Sequence, residues 1–174
     1  LGVANGLIDL RTGKLRPARQ DDLVTRHSPV AFDPAAKCPT WHRFLNRVTD
    51  NTRRANPNDH RKVRRQLAKY LQRVVGYALS GRTDEQVLFF LYGAGANGKT
   101  TFLKIVGEVL GPELTRQLPY DSLVERKQPR SSSNDVARLQ GARAAFTSEV
   151  EDGTSIAESL VKQLDLAPGH PVFA

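Results

Sequence analysis

The stretch that decides the fold reads Val87-Leu88-Phe89-Phe90-Leu91-Tyr92 and continues directly into Gly93-Ala94-Gly95-Ala96-Asn97-Gly98-Lys99-Thr100. Its first part is a continuous apolar run, which is typical of a strand buried in a parallel sheet. Its second part satisfies the pattern G-x-x-x-x-G-K-[ST] in full. Apolar residues at helical spacing from Lys99 to Leu110 follow, with Phe102, Ile105, Val106 and Val109 on the predicted buried side and Gly111-Pro112 as the stop. Strand, glycine-rich loop and helix predict a P-loop.

This loop predicts a site for ATP and Mg²⁺. Small residues let backbone N–H groups close around phosphates, and the start of the next helix adds partial positive charge. Lys99 can reach the β- and γ-phosphates, and the Thr100 hydroxyl can ligate Mg²⁺. The alternative is a glycine-rich turn that happens to contain a lysine. The predicted nucleotide-binding residues are Gly93, Ala94, Gly95, Ala96, Asn97, Gly98, Lys99, Thr100 and Thr101.

A second motif, with an acidic residue, is expected after the glycine-rich loop, because phosphoryl transfer needs a group that holds Mg²⁺ and orients the attacking water. The run Ala142–Thr147 predicts a second core strand, and Glu149 lies just past its end. We therefore predict Lys99 and Glu149 as catalytic residues and Glu149, with Thr100, as a metal ligand, with Glu151 in reserve. The alternative is a solvated acidic turn that ends at Gly153.

The chain before the P-loop has a different pattern of predicted strands and helices. It predicts a β-hairpin with Leu7–Leu10 as one strand and Leu15–Arg16 as the other, and a short strand within Leu23–Phe32. Two helices follow, one capped by Thr40 and one from Asn58 to Leu79. The predicted fold is therefore α/β, with a small basic α+β region at 1–82 and a P-loop core with a parallel sheet at 83–174.

Charge is unevenly distributed along the chain. The net charge is +8, but residues 1–82 hold 17 Lys and Arg against 6 Asp and Glu, whereas residues 83–174 hold 9 against 12. A basic half beside a mildly acidic half predicts a surface for a polyanion, here DNA held through its backbone without sequence preference. The alternatives are a solvated helix face or a surface that docks another subunit. The predicted DNA-binding residues are Arg61, Lys62, Arg64 and Arg65.

Composition excludes several other classes. The longest apolar runs fall well short of the roughly 18 residues that a membrane span needs. Cys38 is the only cysteine, so an internal disulfide is excluded, which fits a reducing cytoplasm. Cys38 and His42 lack a second pair that would complete a zinc site. The chain has no Met, even at position 1, so we expect a fragment of a longer protein.

Beyond the P-loop, several motifs resemble those of the phage and plasmid primase–helicases, whose motor is a superfamily-three helicase of the AAA+ type. The resemblance covers about residues 1–164. It rests on Asn5–Gly13, Gly76–Gly81, Phe90–Gly93 leading into Asn97–Phe102, Leu139–Arg143 leading into Ser148-Glu149, and Val161–Leu164.

The resemblance implies an ATP-dependent DNA helicase that assembles as a homo-hexamer and moves along DNA during phage or plasmid replication. It also implies that Lys99 and Thr100 bind phosphate and metal and that Glu149 supports hydrolysis. After Leu164 the chain departs from the family pattern, and the family's sensor, arginine finger and primase domain have no counterpart here. Pro168 and Pro171 interrupt the last residues, so we expect a C-terminally incomplete core that lacks a further strand.

Two rival functions remain open. One is a remnant that binds ATP or DNA without turnover, for which the missing C-terminal elements count. The other is a small-molecule P-loop kinase, although its lid and its acceptor-binding arginines are not recognisable in the sequence.

Overall fold

The structure, a computed structural model, describes residues 1–50, 60–82, 84, 87–93, 95–119, 138–147 and 172–173. Over these residues the chain is an α/β protein with two four-stranded sheets and three α-helices. None of these helices is both long and apolar enough to cross a membrane.

The N-terminal residues form a small mixed sheet. Its strand order is β3-β2-β1-β4, with β1 antiparallel to β2, β2 antiparallel to β3, and β1 parallel to β4. The predicted hairpin is confirmed, and Gly13 at its turn has a φ of 67° and donates its N–H to the Asp9 carbonyl at 2.7 Å. The four strands are β1 (Gly2–Val3), β2 (Gly6–Asp9), β3 (Lys14–Arg16) and β4 (His27–Ser28).

Two helices follow, α1 (Pro39–Val48) and α2 (His60–Ser80). The prediction of Thr40 as the cap of α1 is wrong, because the cap is Cys38. Pro39 occupies the first helical position, where its fixed φ suits the helix and its missing N–H costs no hydrogen bond. The predicted helix from Asn58 is confirmed from His60 onward; Asn58 itself lies outside the described residues.

The second sheet is parallel and has the order β5-β8-β7-β6. Its strands are β5 (Leu88–Phe89), β6 (Thr115–Gln117), β7 (Ala144–Phe146) and β8 (Val172–Phe173), and α3 (Lys99–Leu110) connects β5 to β6. The expectation that the core lacks a further strand is wrong, because β8 pairs with both β5 and β7. Pro168 and Pro171 both precede β8 in the sequence, so neither removes a donor from its ladder.

The strand before the glycine-rich loop is less buried than predicted. Only Leu88–Phe89 of the predicted run pairs as a strand, while Phe90 and Tyr92 are 58% and 99% exposed. In the described sheet β5 is an edge strand whose one neighbour is β8, so one side of the run has no strand to cover it. The continuous apolar pattern therefore overstated its burial.

The core lies between α2, α3 and β7. Its buried members are Val74, Ala78, Phe102, Val106, Leu110, Leu114, Ala144 and Phe146. The helical prediction for α3 is confirmed. Its buried stripe is Phe102, Val106 and Leu110, which are four residues apart, whereas Val109, predicted to be buried, is 51% exposed. Core residues come from both sides of residue 82, and the predicted division into two regions at that point stays a prediction.

We expect Leu110→Ala to lower the free energy of unfolding by about 2–5 kcal/mol, because it removes a fully enclosed side chain and leaves a cavity. Leu23→Ala is the matched control, since Leu23 is 83% exposed and its truncation should change stability by less than about 0.5 kcal/mol. Urea denaturation followed by circular dichroism measures both. Equal costs for the two variants would contradict this assignment of the core.

Candidate nucleotide-binding site and basic helix

The glycine-rich loop lies between the carboxyl end of β5 and the start of α3. Gly98 is the cap residue of α3 and has a φ of 84°, a left-handed conformation that glycine adopts without steric cost. Its carbonyl accepts the first helical hydrogen bond, from the Phe102 N–H at 2.9 Å. Its lack of a side chain leaves the first N–H groups of the helix without a side-chain cap. Such a helix start offers its N–H groups to an anion.

Lys99 is held over the loop by two oxygen atoms. Its Nζ donates to the Gly93 carbonyl at 2.7 Å and to Asn97 Oδ1 at 3.0 Å. An ammonium group has three protons to donate, so these two bonds leave one donor for another acceptor. The side chain is half-buried, and its charge therefore lies at the mouth of the loop and not in bulk solvent.

Asn97 packs against the start of the loop. A Cβ atom at Gly93 would collide with Asn97 Nδ2, so the Asn97 amide occupies the space that a side chain at Gly93 would need. Asn97 thus contacts both the first glycine of the loop and its lysine. Gly95 has open space around its α-carbon, and Ala96 has a φ of 58°. The loop is therefore closed by Asn97 and open at Gly95.

The remaining predicted loop residues are placed as follows. Thr100 and Thr101 are exposed in the first turn of α3, where the Thr100 hydroxyl could ligate a metal ion. Ala94 lies outside the described residues. Within the described part of the chain, no three His, Cys, Asp or Glu side chains are close enough together to hold a metal ion.

The predicted acidic motif follows β7 in the sequence and lies outside the described residues. The described range that contains β7 ends at Thr147, which is 4% exposed, so Glu149 and Glu151 are both outside it. Strands β5, β8 and β7 are parallel neighbours, so their carboxyl ends share one edge of the sheet. Two strand spacings separate β5 from β7, which is about 10 Å. Glu149 follows Phe146 by three residues, and its place at this edge stays a prediction.

The basic residues of α2 divide between two faces. Lys62, Arg65, Lys69 and Arg73 are exposed, and their spacing of three, four and four residues puts them in one row along the helix. Arg64 is half-buried, and its Nε is buried with no hydrogen-bond partner among the described residues. We call the row of four exposed cations the basic stripe.

The structure places the four predicted DNA-binding residues differently. Lys62 and Arg65 belong to the basic stripe, whereas Arg64 is offset toward the core side of α2, and the side chain of Arg61 lies outside the described residues. Lys69 and Arg73 complete the basic stripe, and their spacing from Lys62 and Arg65 puts them in the same row. DNA binding by any of these residues stays a prediction.

The end of α2 is bonded to the parallel sheet. Arg143, just before β7, donates from Nη1 to the Ser80 carbonyl at 2.9 Å, at the carboxyl end of α2. A positive charge is favourable there because carbonyl groups at that end lack helical partners. Gly81 has a φ of 65°, and the Arg143 side chain fills the space beside it. The helix of the basic stripe thus contacts the strand that leads to Glu149.

Comparison with known proteins agrees with the resemblance seen in the motifs. Residues 1–50 match the family described as D5 N terminal like. The chain is also 25% identical, over 166 residues, to the putative helicase L207/L206 of Acanthamoeba polyphaga mimivirus. That alignment covers 93% of this chain but only 16% of the viral protein. The matches support the predicted resemblance to the phage and plasmid primase–helicase family, for a partial chain.

We expect Asn97→Ala to speed amide hydrogen exchange in the peptide covering residues 95–99, because it removes the side chain that braces Gly93 and Lys99. Asn46→Ala is the matched control, since Asn46 is exposed on α1. Exchange followed by mass spectrometry without nucleotide makes the measurement. Equal exchange in both variants would show that the Asn97 contacts do not order the loop.

Proposed function

We propose that the chain is part of the ATP-dependent motor of a phage or plasmid primase–helicase, which couples ATP hydrolysis to movement along DNA. The observation that carries the proposal is the arrangement of Gly93, Asn97 and Lys99 at the uncapped start of α3. The similarity to a putative viral helicase supports the same class of function. Assembly as a homo-hexamer is part of the proposal and rests on the family resemblance.

The loop residues fit a triphosphate. The first N–H groups of α3 have no side-chain cap, and Lys99 in the same turn has a third donor; both favour negative charge. The loop backbone from Gly95 to Gly98 can approach a phosphate closely because Gly95 has no side chain and open space around it. The proposed nucleotide-binding residues remain Gly93 to Thr101, with Lys99 as the charged contact.

Thr100 and Glu149 are the proposed Mg²⁺ ligands, and Glu149 is the proposed group that orients water for hydrolysis. Bound ATP with Mg²⁺ supplies the phosphoryl group and the metal's charge stabilisation. The shared edge of β5 and β7 supports this assignment, because about 10 Å between their ends leaves room for a metal ion and a phosphate. The parallel pairing of all four strands, with the glycine-rich loop and α3 between β5 and β6, is compatible with the proposed P-loop core of the AAA+ type.

DNA is the proposed partner of the basic stripe. The row of cations on α2 suits the regular phosphate backbone, and such contacts carry no sequence information.

The rival hypothesis of a remnant without turnover loses one of its grounds, because the further core strand whose absence motivated it is present as β8.

We expect Lys99→Ala to weaken ATP binding by about tenfold to a hundredfold, because it removes a charged hydrogen bond to phosphate. Lys104→Ala is the matched control on the same helix, where Lys104 is exposed. Titration with a fluorescent ATP analogue and Mg²⁺ measures the affinity, and circular dichroism confirms folding. The same affinity in wild type and Lys99→Ala would overturn the proposed nucleotide site.

We expect DNA binding to weaken steeply with salt. Replacing Lys62, Arg65, Lys69 and Arg73 with Gln should flatten the plot of log affinity against log salt by nearly one unit for each phosphate that the protein no longer neutralises. The control carries the same charge change at Arg11, Lys14, Lys37 and Lys104, which are exposed elsewhere. Fluorescence anisotropy with a labelled oligonucleotide measures the slope. Equal slopes for the two quadruple variants would contradict DNA binding by the basic stripe.

A further inference from the structure

Helix α1 packs directly on the cap of α3. A Cβ atom at Gly98 would lie 2.5 Å from Val48 Cγ1 and 3.1 Å from Phe44 Cε2. Those two side chains therefore lie against the Gly98 α-carbon itself. Gly98 needs to be glycine on two independent grounds, its positive φ and the space that α1 occupies.

The same helix contacts α3 one turn further along. Trp41 stacks on Phe44 with ring centroids 5.3 Å apart, and on Phe102 with centroids 5.7 Å apart. Gly98 and Phe102 flank Lys99, Thr100 and Thr101, which carry the first amide groups of α3. Helix α1 therefore contacts the chain immediately before and immediately after the proposed phosphate-binding residues.

The end of α1 is itself fixed. Thr49, the residue after Val48, is 2% exposed. Its Oγ1 donates to the Leu45 carbonyl at 2.7 Å and its N–H donates to the same oxygen at 2.9 Å. Because this cap closes the last turn of α1, Val48 has little freedom to withdraw from Gly98.

We propose that Val48 and Phe44 are positioning residues for nucleotide binding, which hold Gly98 and thereby aim the first amide groups of α3 and Lys99 at the phosphates. The inference rests on the proposed nucleotide site. Neither residue is proposed to touch the nucleotide. It follows that the region matching the D5 N terminal like family, residues 1–50, completes the nucleotide site through α1.

The proposal predicts an effect on geometry and not on charge. Both residues are apolar, so their removal leaves the charge around the loop unchanged. An anion's interaction with a helix start depends on the direction of the amide groups and falls off within the first turn. Removal of either side chain should therefore weaken binding of ATP and of ADP by a similar factor, and that factor should shrink as salt screens the helix terminus.

The test compares Val48→Ala with Val48→Ile, which keeps the γ-methyl group, and with Val30→Ala, a valine that is 44% exposed elsewhere. We expect Val48→Ala to bind Mg²⁺-ATP about tenfold more weakly, which corresponds to the upper range of a helix-terminus interaction. Val48→Ile should restore wild-type affinity, and Val30→Ala should keep it. Titrations are made well below each variant's thermal midpoint.

A merely structural role would give a different result. In that case Val48→Ala would lower the thermal midpoint, while the folded protein would bind ATP with unchanged affinity. That outcome overturns the inference and leaves the proposed nucleotide site intact. If wild type itself binds no ATP, the proposed site fails, and the inference fails with it.

A double-mutant cycle tests the packing of Val48 on Gly98 without nucleotide. Gly98→Ala should lower the thermal midpoint by less in the Val48→Ala background than in wild type, because the collision with Val48 Cγ1 has been removed. Some destabilisation remains in both backgrounds because the positive φ disfavours alanine. Additive effects would show that Val48 does not hold Gly98, and the inference would fall.

Discussion

The structure depends on the packing of α3 against α2 and β7 through Phe102, Val106 and Leu110. This stripe is nearly fully buried, and interiors at normal protein packing density tolerate little displacement. Because α3 begins where the glycine-rich loop ends, its packing also fixes where the first amide groups and Lys99 lie. Burial of an apolar stripe thus determines the position of the polar groups from which the proposed function follows.

Features encoded by neighbouring residues could be predicted from the sequence. The bounds of α3 were predicted because a run with helical spacing starts after the glycine-rich loop and is followed by Gly111-Pro112. In the structure Gly98 caps the start of the helix and Gly111 its end, both with positive φ. The hairpin was predicted because Gly13 can supply a turn between two short strands. The strand β7 was predicted because it lies in the apolar run Ala142–Thr147. The P-loop pattern could be found in the sequence because it spans eight consecutive residues, Gly93 to Thr100.

Features that depend on distant residues could not be predicted. Strand β6 has the polar sequence Thr115-Arg116-Gln117, and only its pairing with β7 makes it a strand. Phe90 and Tyr92 continue the apolar run of β5 but are exposed, which spacing along the chain does not reveal. The contact of Val48 with Gly98 joins residues fifty positions apart, and the predicted place of Glu149 lies outside the described residues.

The two halves of the sequence meet through specific polar contacts as well as the core. The Ser28 hydroxyl donates to the Val109 carbonyl, and the His27 N–H donates to Glu113 Oε2 at 2.8 Å. With Arg143 bonded to the end of α2, both the N-terminal sheet and the basic stripe are tied to elements of the parallel sheet. A motor must link its nucleotide site to its DNA-binding surface through contiguous packed elements or a shared two-state change. Here α2 shares a buried apolar cluster with α3 and accepts a hydrogen bond from the residue before β7, so the proposed DNA surface adjoins both elements that lead to the proposed catalytic residues.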